Sequence, residues 1–426
     1  MRFLYRLALY LAVPLVSLLL LGRGLRDRSY RRNFAERFGF GVPAPPHGVW
    51  LHAVSVGEVQ ACAPLVRALH ARHPHLPLTV TTFTPTGAAR ARALFGPLAQ
   101  VRYLPFDLPG AVRRFFRRVQ PRLAVIFETE LWPNLYRECA RRRVPLVLAS
   151  ARLSARSVGR YRRLGGLFRD TLGRTALIAA QGEHDAERFQ ALGADPRTTH
   201  VTGNLKFDFQ LPADIAARAA QLRQRYGAQR FLWVAGSTHE GEEQAAIEAH
   251  RVLLAQQPQA LLVLAPRHPP RFAAVAQLLE GSGLAARRRS QPPQPADADC
   301  AVLLLDSLGE LVDFYAAAEV AFVGGSLVPV GGHNLLEPAA LGVPILTGPY
   351  NANSESIARL LTERGAAATV HDAGELGARL AALSTDGEAR RRMGAAGQAC
   401  IEGNRGALAK LLALIEPLLA GTEGAA

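Results

Sequence analysis

Ten short, almost uninterrupted apolar runs recur along this chain, each leading into an Arg- and Ala-rich stretch of helical character. Val49–Val54, Leu78–Phe83, Leu123–Phe127, Val144–Ala149 and Ala176–Ala180 form one series. After about residue 210 a second begins: Phe231–Ala235, Leu261–Ala265, Ala301–Leu305, Val320–Val323 and Val343–Leu346. Runs that are apolar throughout, without alternation, are strands buried on both faces, as in parallel sheets. Strand–helix alternation requires right-handed crossovers and predicts a doubly wound α/β sheet in each half. The 426 residues exceed what one core serves, so two domains are expected.

Ligands of such sheets sit at the carboxyl ends of the strands. There the sequence changes character. Ser55-Val-Gly57-Glu58 follows the first run, Thr84-Pro-Thr86-Gly87 the second, and Glu128-Thr-Glu130-Leu-Trp-Pro-Asn134 the third. In the second half the corresponding loops are Gly236-Ser237-Thr238-His239-Glu240-Gly-Glu242-Glu243 and Pro266-Arg267-His268-Pro269. Carboxylates, hydroxyls and glycines crowd these loops, and the runs themselves hold no carboxylate or glycine. The densest block is Gly324-Gly-Ser-Leu-Val-Pro-Val-Gly-Gly-His333-Asn334-Leu335-Leu336-Glu337-Pro338, before the run that ends in Gly348-Pro349. Glycines at a strand-to-helix turn let backbone N–H groups approach a phosphate, and Glu337 could accept hydrogen bonds from sugar hydroxyls. The pattern points to a nucleotide sugar.

Each candidate also has a plain structural explanation. Glu58 could simply complement a helix dipole, or act as a general base. In Glu128-Thr-Glu130 strand alternation would send one carboxylate to the cleft and the other to the sheet. Ser237 and Thr238 read as helix N-caps as readily as anion binders. Arg267 suits a phosphate clamp by its planar fork, and His333 stays unassigned. Gly281-Ser-Gly283 follows a helical pattern, so it fails as a dinucleotide loop.

The formal net charge of +15 calls for an anionic partner. Aromatics make up 7% and do not interleave with the arginines, which argues against nucleic acid. Of 50 basic residues only Lys206 and Lys410 are lysines. Lys410 fits a solvated surface, whereas Lys206, in Gly203-Asn-Leu-Lys-Phe-Asp208, fits a site that needs a compact charge. Residues 7–22 are uncharged, preceded by Arg2 and Arg6 and followed by Arg23, Arg26, Arg28, Arg31 and Arg32. No small-x-small cleavage site follows, so the segment reads as an uncleaved anchor with a basic collar on anionic headgroups, spanning or lying in one leaflet. Positive charge after it holds the rest in the cytosol. Cys62, Cys139, Cys300 and Cys400 are dispersed and read as reduced, buried thiols. Neither a metal-ligand pattern nor a Walker loop occurs, so no metal or cofactor is expected. Arg287–Asp299 reads as an exposed loop, Arg405–Leu419 as a Leu-rich helix and the residues from Gly421 on as a frayed tail.

Trp50-Leu-His-Ala-Val-Ser-Val-Gly-Glu58, Phe127-Glu-Thr-Glu-Leu-Trp-Pro-Asn134, Ser150-Ala-Arg-Leu-Ser-Ala-Arg-Ser157, Gly203–Asp208, Ala235-Gly-Ser-Thr-His-Glu240, Pro266–Pro269 and the 324–349 block together resemble the 3-deoxy-D-manno-oct-2-ulosonic acid (Kdo) transferases. The resemblance implies an α/β GT-B glycosyltransferase, with two Rossmann-like domains facing a cleft. It divides the chain into an anchor and collar (1–32), an acceptor domain (33–210) and a donor domain (211–420). It implies CMP-Kdo as donor, a lipid A precursor (a bisphosphorylated acylated disaccharide) as acceptor, inversion in one displacement, and the cytosolic face of the inner membrane. Carried over residue by residue, Glu58 matches the proton acceptor, and Glu130 and Lys206 match residues that stabilise the transition state. Pro266, Arg267, Leu308, Gly309, Glu310, Asn334, Leu335, Leu336 and Glu337 match positions that hold CMP. After Pro349 the chain reads Tyr350-Asn-Ala-Asn353-Ser354, without the aromatic the family carries after the asparagine. The alternatives are a membrane-associated GT-B enzyme using a UDP-sugar, or a non-catalytic, membrane-tethered anion binder.

Overall fold

The computed structural model describes residues 1–292, 294 and 299–421, which fall into two compact units. Met1–Phe209 and the segment from Asn404 onward form the first; Gln210–Gly403 form the second.

The first unit is built on β1 (Val49–His52), β2 (Leu78–Thr82), β3 (Gln100–Tyr103), β4 (Leu123–Phe127), β5 (Leu146–Ala151), β6 (Leu177–Ala180) and β7 (Thr199–Val201). They pair in parallel in the order β3-β2-β1-β4-β5-β6-β7. Successive residues of a strand enter opposite cores: Val125 and Phe127 pack in one apolar cluster, Ala124 and Ile126 in the other. Helices cover both faces, so the interior strands are buried throughout, as their apolar sequences require.

The second unit repeats the plan with β8 (Leu232–Thr238), β9 (Leu261–Pro266), β10 (Ala286–Arg288), β11 (Val302–Leu304), β12 (Val320–Val323), β13 (Ile345–Thr347) and β14 (Ala367–Thr369), in the order β10-β11-β9-β8-β12-β13-β14. In both sheets the strands lying inside the order are those that the apolar runs mark. β3, β7, β10 and β14, which they do not mark, are the four edges. Arg287, expected in an exposed loop, belongs to β10. The Pro-Pro-Gln-Pro segment beyond it lies partly outside the described residues, as does the chain after Gly421.

The last helix, Ala407–Ala420, differs from expectation. Taken above with the second domain, it belongs to the first unit. Leu411, Leu412, Ile415 and Leu419 are buried in the cluster that holds Val59, Leu65 and Leu69. Asp208 caps its start, accepting from Gly406 N at 2.7 Å and Leu408 N at 2.6 Å. Glu416 pairs with Arg72 at 3.2 Å and His73 at 2.9 Å. Full burial of four aliphatic side chains is worth roughly 6–12 kcal/mol before entropy, which outweighs sequence proximity to the second unit.

The N-terminal helix runs from Arg2 to Arg26, 25 residues, and has two unlike faces. Tyr5, Arg6, Leu9, Val13, Val16 and Leu20 are buried or half-buried; Leu4, Leu7, Leu11, Leu15, Leu18 and Leu25 are exposed. Both sets recur at three- and four-residue spacing, the signature of a helix covered along one side. Its first turns are bonded to the first unit. Tyr5 Oη donates to Asp107 Oδ2 at 2.9 Å, Arg6 Nε donates to Asn134 Oδ1 at 3.2 Å, and Arg2 pairs with Asp170. Asp107 is buried, and burial pushes its carboxyl up to about 7, although Asn134 N and Leu135 N also donate to it. A few residues beyond the helix, buried Arg37 donates to Phe83 O at 2.8 Å and stacks on Phe83 and Tyr103, again in the first unit.

Candidate active site

In the first unit the strand order reverses between β1 and β4, so their outgoing loops diverge and leave a crevice. Glu58 enters it from the β1 side, in the first turn of helix Val56–Arg72. Ser55 caps that helix. The Glu58 carboxylate reaches back, accepting from Val54 N at 2.8 Å and Ser55 Oγ at 3.1 Å. Glu58 thus does stand in the first helical turn, as the dipole explanation requires, and the two bonds fix its rotamer without neutralising the group. Burial first, then the negative charge of Glu128 and to a smaller degree that of Glu130, push the Glu58 carboxyl up to about 7.

Glu128 and Glu130 enter from the β4 side. The expectation that alternation would part them fails: residues two apart share one face of a strand, and Glu128 has already left the strand with φ of +56°, in the left-handed region. Both charges act on Glu58. Glu130 accepts from Trp132 Nε1 at 2.8 Å and is raised by burial, then by Glu128. Lys206 follows β7. Asn204 Oδ1 accepts from its backbone N at 3.0 Å, and its ammonium lies 3.0 Å from Glu128 Oε1, both side chains 23% exposed. Glu58, Glu130 and Lys206 are thus brought together through Glu128, a residue for which the sequence reading proposed no role.

In the second unit the order reverses between β8 and β12. Pro266 ends β9 and Arg267 follows it, Leu308–Glu310 follow β11 and Asn334–Glu337 follow β12, all at or beyond the carboxyl ends of strands of one sheet. Their exposures differ sharply. Arg267 is exposed and makes no ion pair among the described residues. Leu308 is exposed, Gly309 takes φ of +91°, and Glu310 binds Arg289 at 2.6 Å. Asn334 is exposed and accepts from Leu336 N at 3.1 Å, whereas the Leu335 and Leu336 side chains are buried, leaving their backbone to meet a ligand.

The glycine-rich loop departs from the sequence reading. Its amides at Gly325, Ser326 and Leu327 do not face an open phosphate site. They donate to the fully buried carboxylate of Glu242, at 2.6, 2.9 and 2.9 Å, and His239 N adds a fourth bond at 2.9 Å. Glu242 stands in for the anion and sets the loop's shape. Ser237 and Thr238 cap no helix: both lie in β8, and the following helix starts at Glu242 behind Gly241. Asn353 pins the far side of the loop, donating to Val330 O at 3.3 Å while its N reaches Gly331 O at 2.8 Å. Ser354, where the family aromatic is missing, precedes the next helix and donates its hydroxyl to His333 O at 3.5 Å. Three histidines converge beside Arg267: His239 after β8, His268 after β9 and His333 after β12. His239 and His333 approach with Nε2 atoms 2.8 Å apart.

A profile described as 3-Deoxy-D-manno-octulosonic-acid transferase (kdotransferase) matches residues 32–209. The 3-deoxy-D-manno-octulosonic acid transferase of Haemophilus influenzae is 42% identical over 422 residues, covering 98% of this chain and 99% of its own. That of Bordetella pertussis is 41% identical over 389 residues, covering 87% and 89%. UDP-GlcNAc 2-epimerase from Neisseria meningitidis, solved with UDP-GlcNAc, superposes with a TM-score of 0.57 at 13% identity, covering 87% of this chain and 100% of its own. HepE of Anabaena, solved with UDP and glucose, gives 0.54 at 17%, covering 88% and 100%. At those identities the structures speak for the fold alone: two parallel-sheet α/β units of the GT-B class. Within that class the chain belongs to the 3-deoxy-D-manno-octulosonic acid transferase family, and its activity is the transfer of Kdo in lipopolysaccharide core synthesis.

Proposed function

We propose that the donor is CMP-Kdo, the acceptor a lipid A precursor, and Glu58 the base. The observation that carries this reading is the Glu58 carboxyl, held by Val54 and Ser55 and raised to about 7 by burial and by Glu128. A base whose pKa lies near the working pH is available unprotonated and still accepts a proton readily. Glu58 takes the proton of the attacking hydroxyl. The hydroxyl oxygen bonds to the anomeric carbon as the bond from that carbon to the phosphate oxygen breaks, and CMP departs with the electron pair. One displacement inverts the centre. Glu130 and Lys206 stabilise the charge that develops. In the second unit Arg267, without an ion pair among the described residues, offers its guanidinium to the phosphate. Pro266, Leu308, Gly309, Glu310, Asn334, Leu335, Leu336 and Glu337 complete the CMP site, the two buried leucines through their backbone.

The enzyme works on the cytosolic face of the inner membrane in this account, with its N-terminal helix in one leaflet. The support is geometric. Residues 2–6 and residues 34–38 are both bonded to the first unit, so both ends of the apolar run lie on the same side. The exposed leucine stripe then faces acyl chains and the arginines from Arg23 onward face anionic headgroups.

Purified protein given lipid A precursor and either CMP-Kdo or UDP-sugars tests donor and acceptor together. Mass spectrometry of the lipid is expected to show added Kdo with CMP-Kdo alone. Sugar transfer from a UDP donor, or an unaltered lipid with CMP-Kdo, would overturn the reading.

A further inference from the structure

We propose that His239, His268 and His333 form, with Arg267, a proton-coupled anion site, so that binding the phosphate of the donor draws a proton from solution onto the histidines. The inference rests on the CMP-Kdo reading above and assigns to that donor three residues which have no role in it so far.

Three separate loops, after β8, β9 and β12, each deliver one histidine to the same place. The His239 and His333 rings lie parallel within 6°, centroids 5.1 Å apart, and His268 meets His239 edge-on at 5.2 Å. The loop is shaped for this. Gly325 adopts φ of +69°, and a Cβ there would come within 2.8 Å of His333 Cδ2 and Nε2. Loop closure alone would not call for three imidazoles.

Two Nε2 atoms at 2.8 Å share one hydrogen. The donating ring then has a bare Nδ1, and the accepting ring carries its hydrogen on Nδ1. Among the described residues no hydrogen bond is made by either Nδ1. The pair therefore offers a ligand one donor and one basic nitrogen, and one added proton turns both into donors.

The surrounding charges keep that proton off while the site is empty. Burial, followed by His239, Arg267 and His268, holds His333 down at about 4. Burial also lowers His239, with His268, Arg267 and Arg271 acting the same way and Glu242 opposing them. His268 is lowered by burial, then by Arg267 and Arg271. Of the neighbouring acids, Glu242 is occupied by four backbone amides, and Glu240 and Glu243 by Arg271. An arriving anion offsets Arg267 and favours the protonated histidines. The sign follows. Affinity is highest below the free-state titration and falls by up to about tenfold per pH unit between it and the raised, bound-state value.

Isothermal titration with CMP at about pH 7, in two buffers of different ionisation enthalpy, counts the protons taken up. CMP's own phosphate titrates near this pH, so the decisive quantity is wild type minus variant, for His333→Gln and separately for His239→Gln. The wild type is expected to take up about half a proton or more beyond at least one variant, whose affinity also loses most of its pH dependence. Equal uptake in wild type and both variants, with CMP still bound, would overturn the proton-coupled site and leave the donor assignment standing. Absence of CMP binding by the wild type would remove the donor assignment itself. Should one variant fail to fold, the other decides. Should both fail, the wild-type affinity for the methyl diester of CMP, whose phosphate does not titrate between about pH 5 and about pH 8, decides: a flat profile overturns the proposal and a falling one supports it.

Discussion

Lys206 Nζ stands 3.0 Å from Glu128 Oε1, so one of only two lysines in the chain is committed to the carboxylate that acts most strongly on Glu58. The pair is half-buried, where a point charge and a planar fork are not equivalent. Arg is longer, and its bidentate grip on Glu128 would leave less positive charge for a reacting group. Lys206→Arg should lower turnover by about tenfold or more with an unchanged thermal midpoint. Full activity would return Lys206 to the role of a surface cation; a collapsed midpoint would make it structural.

Arg267→Ala should weaken CMP binding by about 1.5–3 kcal/mol, the worth of a charged hydrogen bond to phosphate. The side chain is exposed and without an ion pair among the described residues, so no stability change should accompany the loss. Calorimetric titration with CMP measures it directly, and an unaltered affinity would place the phosphate elsewhere.

Glu242→Ala tests whether the glycine-rich loop is held from below. Four backbone N–H groups lose their acceptor in a fully buried position, a cost of at least about 3 kcal/mol. The thermal midpoint of the second unit should fall and CMP binding should go with it. A stable variant with normal CMP affinity would mean that the glycines hold the loop unaided.

These cases mark what the residues alone disclose. Interior strands are legible because apolar cover on both faces imposes an unbroken run, as in Leu123–Phe127. Edge strands such as Ala286-Arg-Arg288 bear polar side chains and lose that signal. Candidates at the strand ends are legible as candidates because Glu58, Glu130, Lys206 and Arg267 stand out against apolar strands. Glu128 and Glu242 are not, for different reasons. The direction of Glu128 depends on a left-handed backbone that alternation does not anticipate. Glu242 is one of three acids in its loop sequence, and nothing but the folded loop singles it out. The last helix looks like part of the second half because only tertiary burial ties Leu411 and Ile415 to the first.

The N-terminal helix permits a test of topology. Single cysteines at Arg2 and at Arg26 should both react with an impermeant maleimide from the cytosolic side of inverted membrane vesicles. The four native cysteines are buried and contribute little background. Labelling of the two positions from opposite sides would mean that the helix crosses the bilayer.

The measurement that bears most directly on the account is the pH dependence of single-turnover Kdo transfer, with CMP-Kdo and lipid A precursor saturating. Glu58 must be ionised to act, so the wild-type rate should rise about tenfold per unit up to about 7 and then level. Glu128→Gln removes the larger of the two neighbouring negative charges and should move that limb to lower pH. Glu58→Gln should abolish transfer while CMP still binds, because the candidate CMP residues belong to the second unit. Near-normal turnover by Glu58→Gln, or a limb that Glu128→Gln leaves in place, would contradict the assignment of Glu58 as the base.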